Sequence, residues 1–339
     1  MKILLISPPV FPINSSSTYV GIERLVFNYS KELVKEHEVT VLGHADSQFP
    51  EGVKNLAIRP QGNNTLDEAH QYQCYQYLLR TFDVIHDFSH LHLASRFNNN
   101  LPSLNLFWHA PAVAKYPKAP YNIIALSKWA AREFERIYRQ KARYQQSILL
   151  DTSLYKLGTF LRNDRFLAVG RMGREKGNLN AAMLCTKLGL PLDIITARGM
   201  GYSKEDEEYE KQVQALCDGV QIKLIWEYTE ADKIRYMQSN KALLYITDHP
   251  EVTSHKLQEC LLCGLPAIVS GIGAAPEIIT HGVDGYLCRT EADFEQAIKD
   301  VNKLDAPSNK ENLRRRYAVE NVVKDYIPLY IRVANGERW

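Results

Sequence analysis

The sequence predicts an α/β protein made of two doubly wound, Rossmann-like domains in tandem. Two observations carry this. Short apolar runs alternate with segments of helical periodicity, the pattern of buried parallel strands joined by crossover helices. That alternation closes near Asp151, passes through a connector at 152–163 and restarts at Phe166. A length of 339 residues suits two such domains and is short for three.

In the first half, the run 3–7 reads as a buried strand. Ile22, Leu25, Val26, Tyr29, Leu33 and Val34 then recur at helical spacing, and 39–42 completes a βαβ unit. Further strands are predicted at 84–86, 104–108 and 123–126, and Ser127 is placed to cap a helix running to Tyr138. In the second half, strands are predicted at 166–169, 192–196, 223–225, 242–246 and 267–270. Helical stretches lie between them at 180–188, 207–216 and 231–239, and the tail 313–333 is again helical in period. The expected domains are 1–151 with a returning helix at about 320–339, and 152–319. Ligands of such sheets bind at the carboxyl ends of the strands. Two facing domains of this kind therefore predict a site in a deep cleft between them.

Composition excludes several classes. Hydrophobic residues make up 45% of the chain and charged residues 24%, which is globular and sufficient for two cores. The formal net charge of +2 gives the whole chain no strong attraction to nucleic acid. Six scattered Cys in mostly apolar stretches read as free thiols in a reducing compartment, so a cytoplasmic location is expected. The apolar start of the chain stops at Ser7-Pro8-Pro9, which is too short for a signal peptide. The apolar run 260–279 is broken by Gly264, Pro266, Gly271 and Gly273 and is no membrane span.

The richest chemistry lies in 249–266, which follows a predicted strand and opens a helix. Glu251 and Glu259 stand eight residues apart. Were the intervening segment all helical, the rise between them would be roughly 12 Å, a scale suited to an activated sugar lying between them. A carboxylate accepts two hydroxyl donors at once, as a ribose or hexose diol offers. The helix start between them offers N–H groups and partial positive charge to phosphate. A second loop, 170–177, holds Gly170, Arg171 and Lys176 directly after a strand. Arg brings a planar fork and Lys a mobile point charge for phosphate oxygens; the bland alternative is a solvated basic turn. His109 ends a predicted strand, where a structural histidine is the competing reading. His86, His90 and His92 have no partner carboxylate or Cys at ligand spacing, and there is no Asp-x-Asp, so no metal site is expected.

The stretch 249–266 resembles the E-x7-E signature of the retaining GT-B glycosyltransferases of group 1. The loop 170–177 is similar to that family's G-R-x4-K-G loop, and 276–285 to its P-E-I…D-G-x-x-G block. Tyr19-Val20-Gly21-Ile22 resembles its Gly-Gly loop, with Val20 in place of the first glycine. The resemblance covers nearly the whole chain. It implies metal-independent transfer of a hexose from a nucleotide diphosphate sugar to a hydroxyl of a glycan, lipid or small molecule, with retention and without a cofactor. UDP-linked donors are favoured, with GDP-linked donors next. It further implies that Glu259 binds the ribose hydroxyls and Glu251 the transferred sugar. Arg171, Lys176 and the backbone near Thr253, Ser254 and His255 would hold the diphosphate, and Gly170 and Gly21 would allow close approach to the donor. His109 would contact the transferred sugar. A nucleotide-sugar epimerase on the same plan and a non-catalytic nucleotide-sugar-binding protein are the alternatives.

One further feature is basic. Lys128, Arg132, Arg136, Arg139, Lys141 and Arg143 decorate the segment 127–143 with Trp129, Phe134 and Tyr138 among them. The favoured reading is a solvated face over an aromatic seam. The alternative is peripheral contact with an anionic inner membrane face.

Overall fold

The computed structural model describes residues 1–14, 21–98, 100–108, 120–158, 161–198, 202–226 and 228–339. Tyr19, Val20 and His109, named above, lie outside the described residues. The chain divides into two compact units, Met1–Asp151 with Arg316–Trp339, and Thr152–Arg315.

The first unit holds a seven-stranded parallel sheet. Its strands are β1 (Lys2–Ile6), β2 (Glu38–His44), β3 (Lys54–Ile58), β4 (Val84–Asp87), β5 (Ser103–Phe107), β6 (Ile123–Ala125) and β7 (Ala142–Tyr144), in the spatial order β3-β2-β1-β4-β5-β6-β7. The inner strands β1, β4, β5 and β6 are buried almost throughout, which is why they read as unbroken apolar runs. The helix Gly21–Leu33 buries Leu25, Val26, Tyr29 and Leu33, the face its periodicity marks out. Ser127 caps the helix Lys128–Tyr138, its hydroxyl accepting from the N–H of Ala130 at 3.1 Å.

The tail returns to this unit. The helix Val319–Ala334 sets Tyr326 and Tyr330 beside His86, with the Tyr330 hydroxyl 2.9 Å from His86 Nδ1. Burial pushes the His86 imidazole down to about 3, so it is neutral and belongs to the core. The Trp339 indole N–H donates to the carbonyl of Ile123 at 3.1 Å, on the inner strand β6.

The second unit holds six parallel strands: β8 (Phe166–Val169), β9 (Leu192–Thr196), β10 (Ile222–Trp226), β11 (Leu243–Tyr245), β12 (Ala267–Ser270) and β13 (Gly285–Cys288). Their order is β10-β9-β8-β11-β12-β13. Counted within the unit this is 3-2-1-4-5-6, the order of dinucleotide-binding sheets. The winding reverses between β8 and β11, and ligands of such sheets sit at that crevice.

Three strands escaped the sequence pattern: β3, β7 and β13. All three are sheet edges. Lys54 and Asn55 of β3 are exposed, and β7 reads Ala-Arg-Tyr. A strand with one neighbour buries less, so its residues need not be apolar. The tail is helical as its period predicts, in two helices, Lys310–Tyr317 and Val319–Ala334, parted at Ala318. All six Cys are free; Cys185, Cys260, Cys263 and Cys288 are buried. Among the described residues no helix is long and apolar enough to cross a membrane.

Candidate functional site

The loops that leave β8 and β11 are bound together at the winding reversal of the second unit. After β8 the chain passes through Arg171 into one short helical turn, Arg174–Lys176, and ends it at Gly177. Gly177 has φ 70°, and a Cβ there would stand 2.1 Å from the carbonyl oxygen of Ile246. Only glycine lets this loop lie directly against the chain leaving β11. The Thr247 hydroxyl donates to the Glu175 carbonyl at 2.9 Å, and the Asn180 amide donates to the Ile246 carbonyl at 3.0 Å.

This contact delivers Lys176 to Glu251, with Nζ and Oε1 2.5 Å apart. Glu251 itself is fixed by its backbone. Its carbonyl accepts from the N–H of Ala274 at 3.0 Å, and a Cβ on Gly273 would come within 2.6 Å of that carbonyl oxygen. Burial alone would raise the Glu251 carboxyl, but the charges of Lys256 and Lys176 and hydrogen bonds outweigh it and hold the group down to about 2. Arg171 is engaged locally, its Nε 2.7 Å from Glu175 Oε1.

Only part of the segment between Glu251 and Glu259 is helical. The helix runs His255–Leu262, so Glu251 stands in the loop before it and Glu259 inside it. The extended backbone of Ser254 sets the helix start at His255. Ser254 occupies the cap position, yet its side chain makes no capping bond, and its Oγ is buried without a partner among the described residues. A small recess opens there, lined by Tyr245, Thr247, Glu251, Thr253, Ser254 and Ser270 among others. Glu251, Thr253 and Ser254 thus share one recess at the carboxyl ends of β11 and β12.

Glu259 lies in a second charged cluster on the same helix. It is 4% exposed. The Tyr155 hydroxyl donates to its Oε1 at 2.9 Å and Lys233 Nζ to its Oε2 at 2.8 Å. Tyr155 Oη also stands 3.0 Å, and Lys233 Nζ 3.0 Å, from Glu230 Oε1. Sequence reasoning missed Tyr155 and Lys233. Tyr155 falls in the connector, and Lys233 in a helix that reads as charged and solvated; neither carries a local signal. Lys256 was missed too. It sits in the second position of the glutamate helix, its Nζ 3.3 Å from the centre of the Tyr245 ring.

Cys260 and Cys263 point into this helix's buried side, and burial pushes the Cys263 thiol up to about 12, so packing accounts for the pair. Gly21 begins the helix Gly21–Leu33 of the first unit. In that unit His92 Nδ1 is 3.6 Å from Asp87 Oδ1, both residues buried. Among the described residues no group of three or more His, Cys, Asp or Glu could hold a metal ion. On the basic helix, Ala130, Ala131 and Phe134 are buried, while Lys128, Arg132, Arg136, Arg139 and Lys141 are exposed. Arg143 leaves that face and lies over the Trp339 ring, 3.9 Å from its centre.

The family model for glycosyl transferases group 1 matches residues 155–320, the span holding both glutamates and the Arg171–Lys176 loop. Residues 155–320 thus match a group 1 glycosyltransferase domain, just under half of the chain. Over 115 residues the protein is 26% identical to the N-acetyl-alpha-D-glucosaminyl L-malate synthase of Bacillus anthracis, a match covering 32% of this chain and 30% of that enzyme. The aligned part thus spans under a third of that relative's length. Two solved structures share the fold over nearly their full length. Sucrose-phosphate synthase from Thermosynechococcus elongatus has a TM-score of 0.79 at 14% identity, covering 99% of this chain and 100% of that one. Anabaena Alr3699/HepE, solved in complex with UDP and glucose, has a TM-score of 0.75 at 17% identity, covering 97% and 99%. Both likenesses extend across the two Rossmann-like units.

The low carboxyl of Glu251 in the glycosyltransferase domain has a consequence for acid stability. Its folded value of about 2 lies below the ordinary 4.5. Its contribution to stability is therefore present above the unfolded value and lost as pH falls from there toward 2. Acid titration followed by circular dichroism should show Glu251→Gln losing less stability across that window than the unaltered protein. Parallel curves would remove Glu251 as a source of acid sensitivity.

Proposed function

We propose that the protein transfers a hexose from a nucleotide diphosphate sugar to a hydroxyl acceptor, with retention at the anomeric carbon and without a metal ion. The observation that carries this is the joining of the Arg171–Lys176 loop to Glu251 at the winding reversal of a dinucleotide-type sheet, within a group 1 glycosyltransferase domain. The helix start at His255, with Ser254 not capping it, favours a phosphate beside Thr253, Ser254 and His255. UDP is the favoured nucleotide, since a neighbour of the same fold was solved with UDP and glucose; GDP is the second choice.

In this reading Glu259 accepts the ribose hydroxyls, with Tyr155 and Lys233 fixing its orientation. Glu251 accepts from the hexose. Arg171 and Lys176 exchange their carboxylate partners for the diphosphate and stabilise the charge that builds on it as the sugar departs. The sugar leaves through an oxocarbenium-like state, and the departing phosphate takes the proton of the acceptor hydroxyl on the same face. The chain's own part is positioning and charge stabilisation. Gly21 and His109 are assigned to the donor on the sequence resemblance alone. The basic helix Lys128–Tyr138 is read as a solvated face over its buried Ala130, Ala131 and Phe134.

The test is a panel of UDP- and GDP-hexoses with and without candidate acceptors, in the presence of EDTA, with the product anomer read by NMR. Transfer with retention that survives EDTA is expected. Conversion of the donor without any acceptor would make the protein an epimerase, and tight nucleotide binding without turnover a binding protein.

A further inference from the structure

Among the described residues, Lys256 is a cation acting on Glu251 that the roles above leave unused. Its Nζ is buried and has no hydrogen-bond partner among the described residues. It is held against the face of the Tyr245 ring, a contact that attracts a cation but accepts no hydrogen bond. A buried amine without an acceptor is held toward its neutral form and becomes an ammonium at little cost only where it gains one. The charged groups around it are Glu251, Lys176 and Glu175, with the Cys260 thiol behind it. Lys176 already occupies Glu251.

We propose that Lys256 is a positioning residue that takes over Glu251 when Lys176 moves to the donor's diphosphate. This rests on the donor site described under Proposed function. A diphosphate carries more charge than a carboxylate and draws Lys176 toward it. Glu251, only 21% exposed, would then be left short of a counter-charge as it meets the sugar. Lys256 is buried close enough to Glu251 for the two charges to act on each other, and a side-chain shift would let it donate. Glu251 thus stays ionised and in place in both the empty and the loaded site.

The exchange has a proton signature. Burial, reinforced by Lys176 and opposed by Glu251, pushes the Lys256 ammonium down to about 7. At pH 8 the empty site therefore holds Lys256 largely neutral. Departure of Lys176 removes a repelling charge, and pairing with Glu251 favours the ammonium, so binding takes up a proton from solvent. Tyr245 and Cys260 are both raised by burial and stay protonated throughout, so neither can mimic this uptake.

Calorimetric binding of UDP and of GDP at pH 8, in buffers of different ionisation enthalpy, measures that uptake. The unaltered protein should take up a fraction approaching one proton per nucleotide. Lys256→Met and Lys256→Arg should both bind without uptake, the first more weakly and the second, with its permanent charge, closer to the unaltered protein. Thermal melting checks that both variants are folded. Binding by the unaltered protein without uptake, or undiminished uptake in Lys256→Met, overturns the exchange while leaving the donor site standing. Failure of either nucleotide to bind overturns the donor site and the exchange together.

Discussion

Lys176→Ala is expected to lower sugar transfer about a hundredfold, the scale of one lost charge-stabilising contact on a leaving group. Two effects add in this variant. The departing diphosphate loses a cation, and Glu251 loses the ammonium now 2.5 Å from its Oε1. Glu259→Gln is the matching probe at the other end of the donor. It keeps the size of the side chain but weakens acceptance from Tyr155 and Lys233, and a loss of similar size is expected. Glutamine is preferred to alanine because Lys233 is only 7% exposed and would be stranded by a truncation. Steady-state kcat/KM for the donor, with thermal melting as a check on folding, decides the matter. Turnover near that of the unaltered protein in both variants would remove these residues from the donor site.

Gly177→Ala is the second large effect. The new Cβ would meet the Ile246 carbonyl oxygen at 2.1 Å and its carbon at 2.7 Å, both backbone atoms that cannot rotate away. The left-handed φ of 70° adds about 1–2 kcal/mol for a residue with a side chain. A total loss of about 2–4 kcal/mol in stability is expected, together with loss of activity, because the loop carrying Lys176 must lift off the chain leaving β11. Gly189→Ala supplies the control. It has φ 66° but nothing within 4 Å of the added Cβ, so it should lose only the conformational part. Urea unfolding of both variants measures the difference, and equal losses would mean that the close approach at Gly177 is not what restrains the loop.

The interior of both sheets was legible because parallel strands covered by helices on both faces need apolar residues at every position, as in β1 and β8. The edges were not, because β3 and β7 bury too little to be marked by composition. The same contrast holds for the site. Glu251, Glu259, Arg171 and Lys176 lie in short stretches that begin at strand ends, where local order in the chain predicts local order in space. Tyr155 and Lys233 reach Glu259 from positions 104 and 26 residues away in sequence, and no local pattern reports such a meeting. Lys256 sat in plain view between the two glutamates, but its significance lies in burial against Tyr245, which only the folded chain displays.

The return of Arg316–Trp339 to the first unit makes that unit discontinuous, with Thr152–Arg315 interposed in the sequence. His86 and Tyr29 are covered by Tyr326 and Tyr330, residues that emerge from the ribosome only after the whole glycosyltransferase sheet has been synthesised. A nascent chain therefore carries its first sheet with every strand made but with an aromatic hollow open until the tail helix arrives.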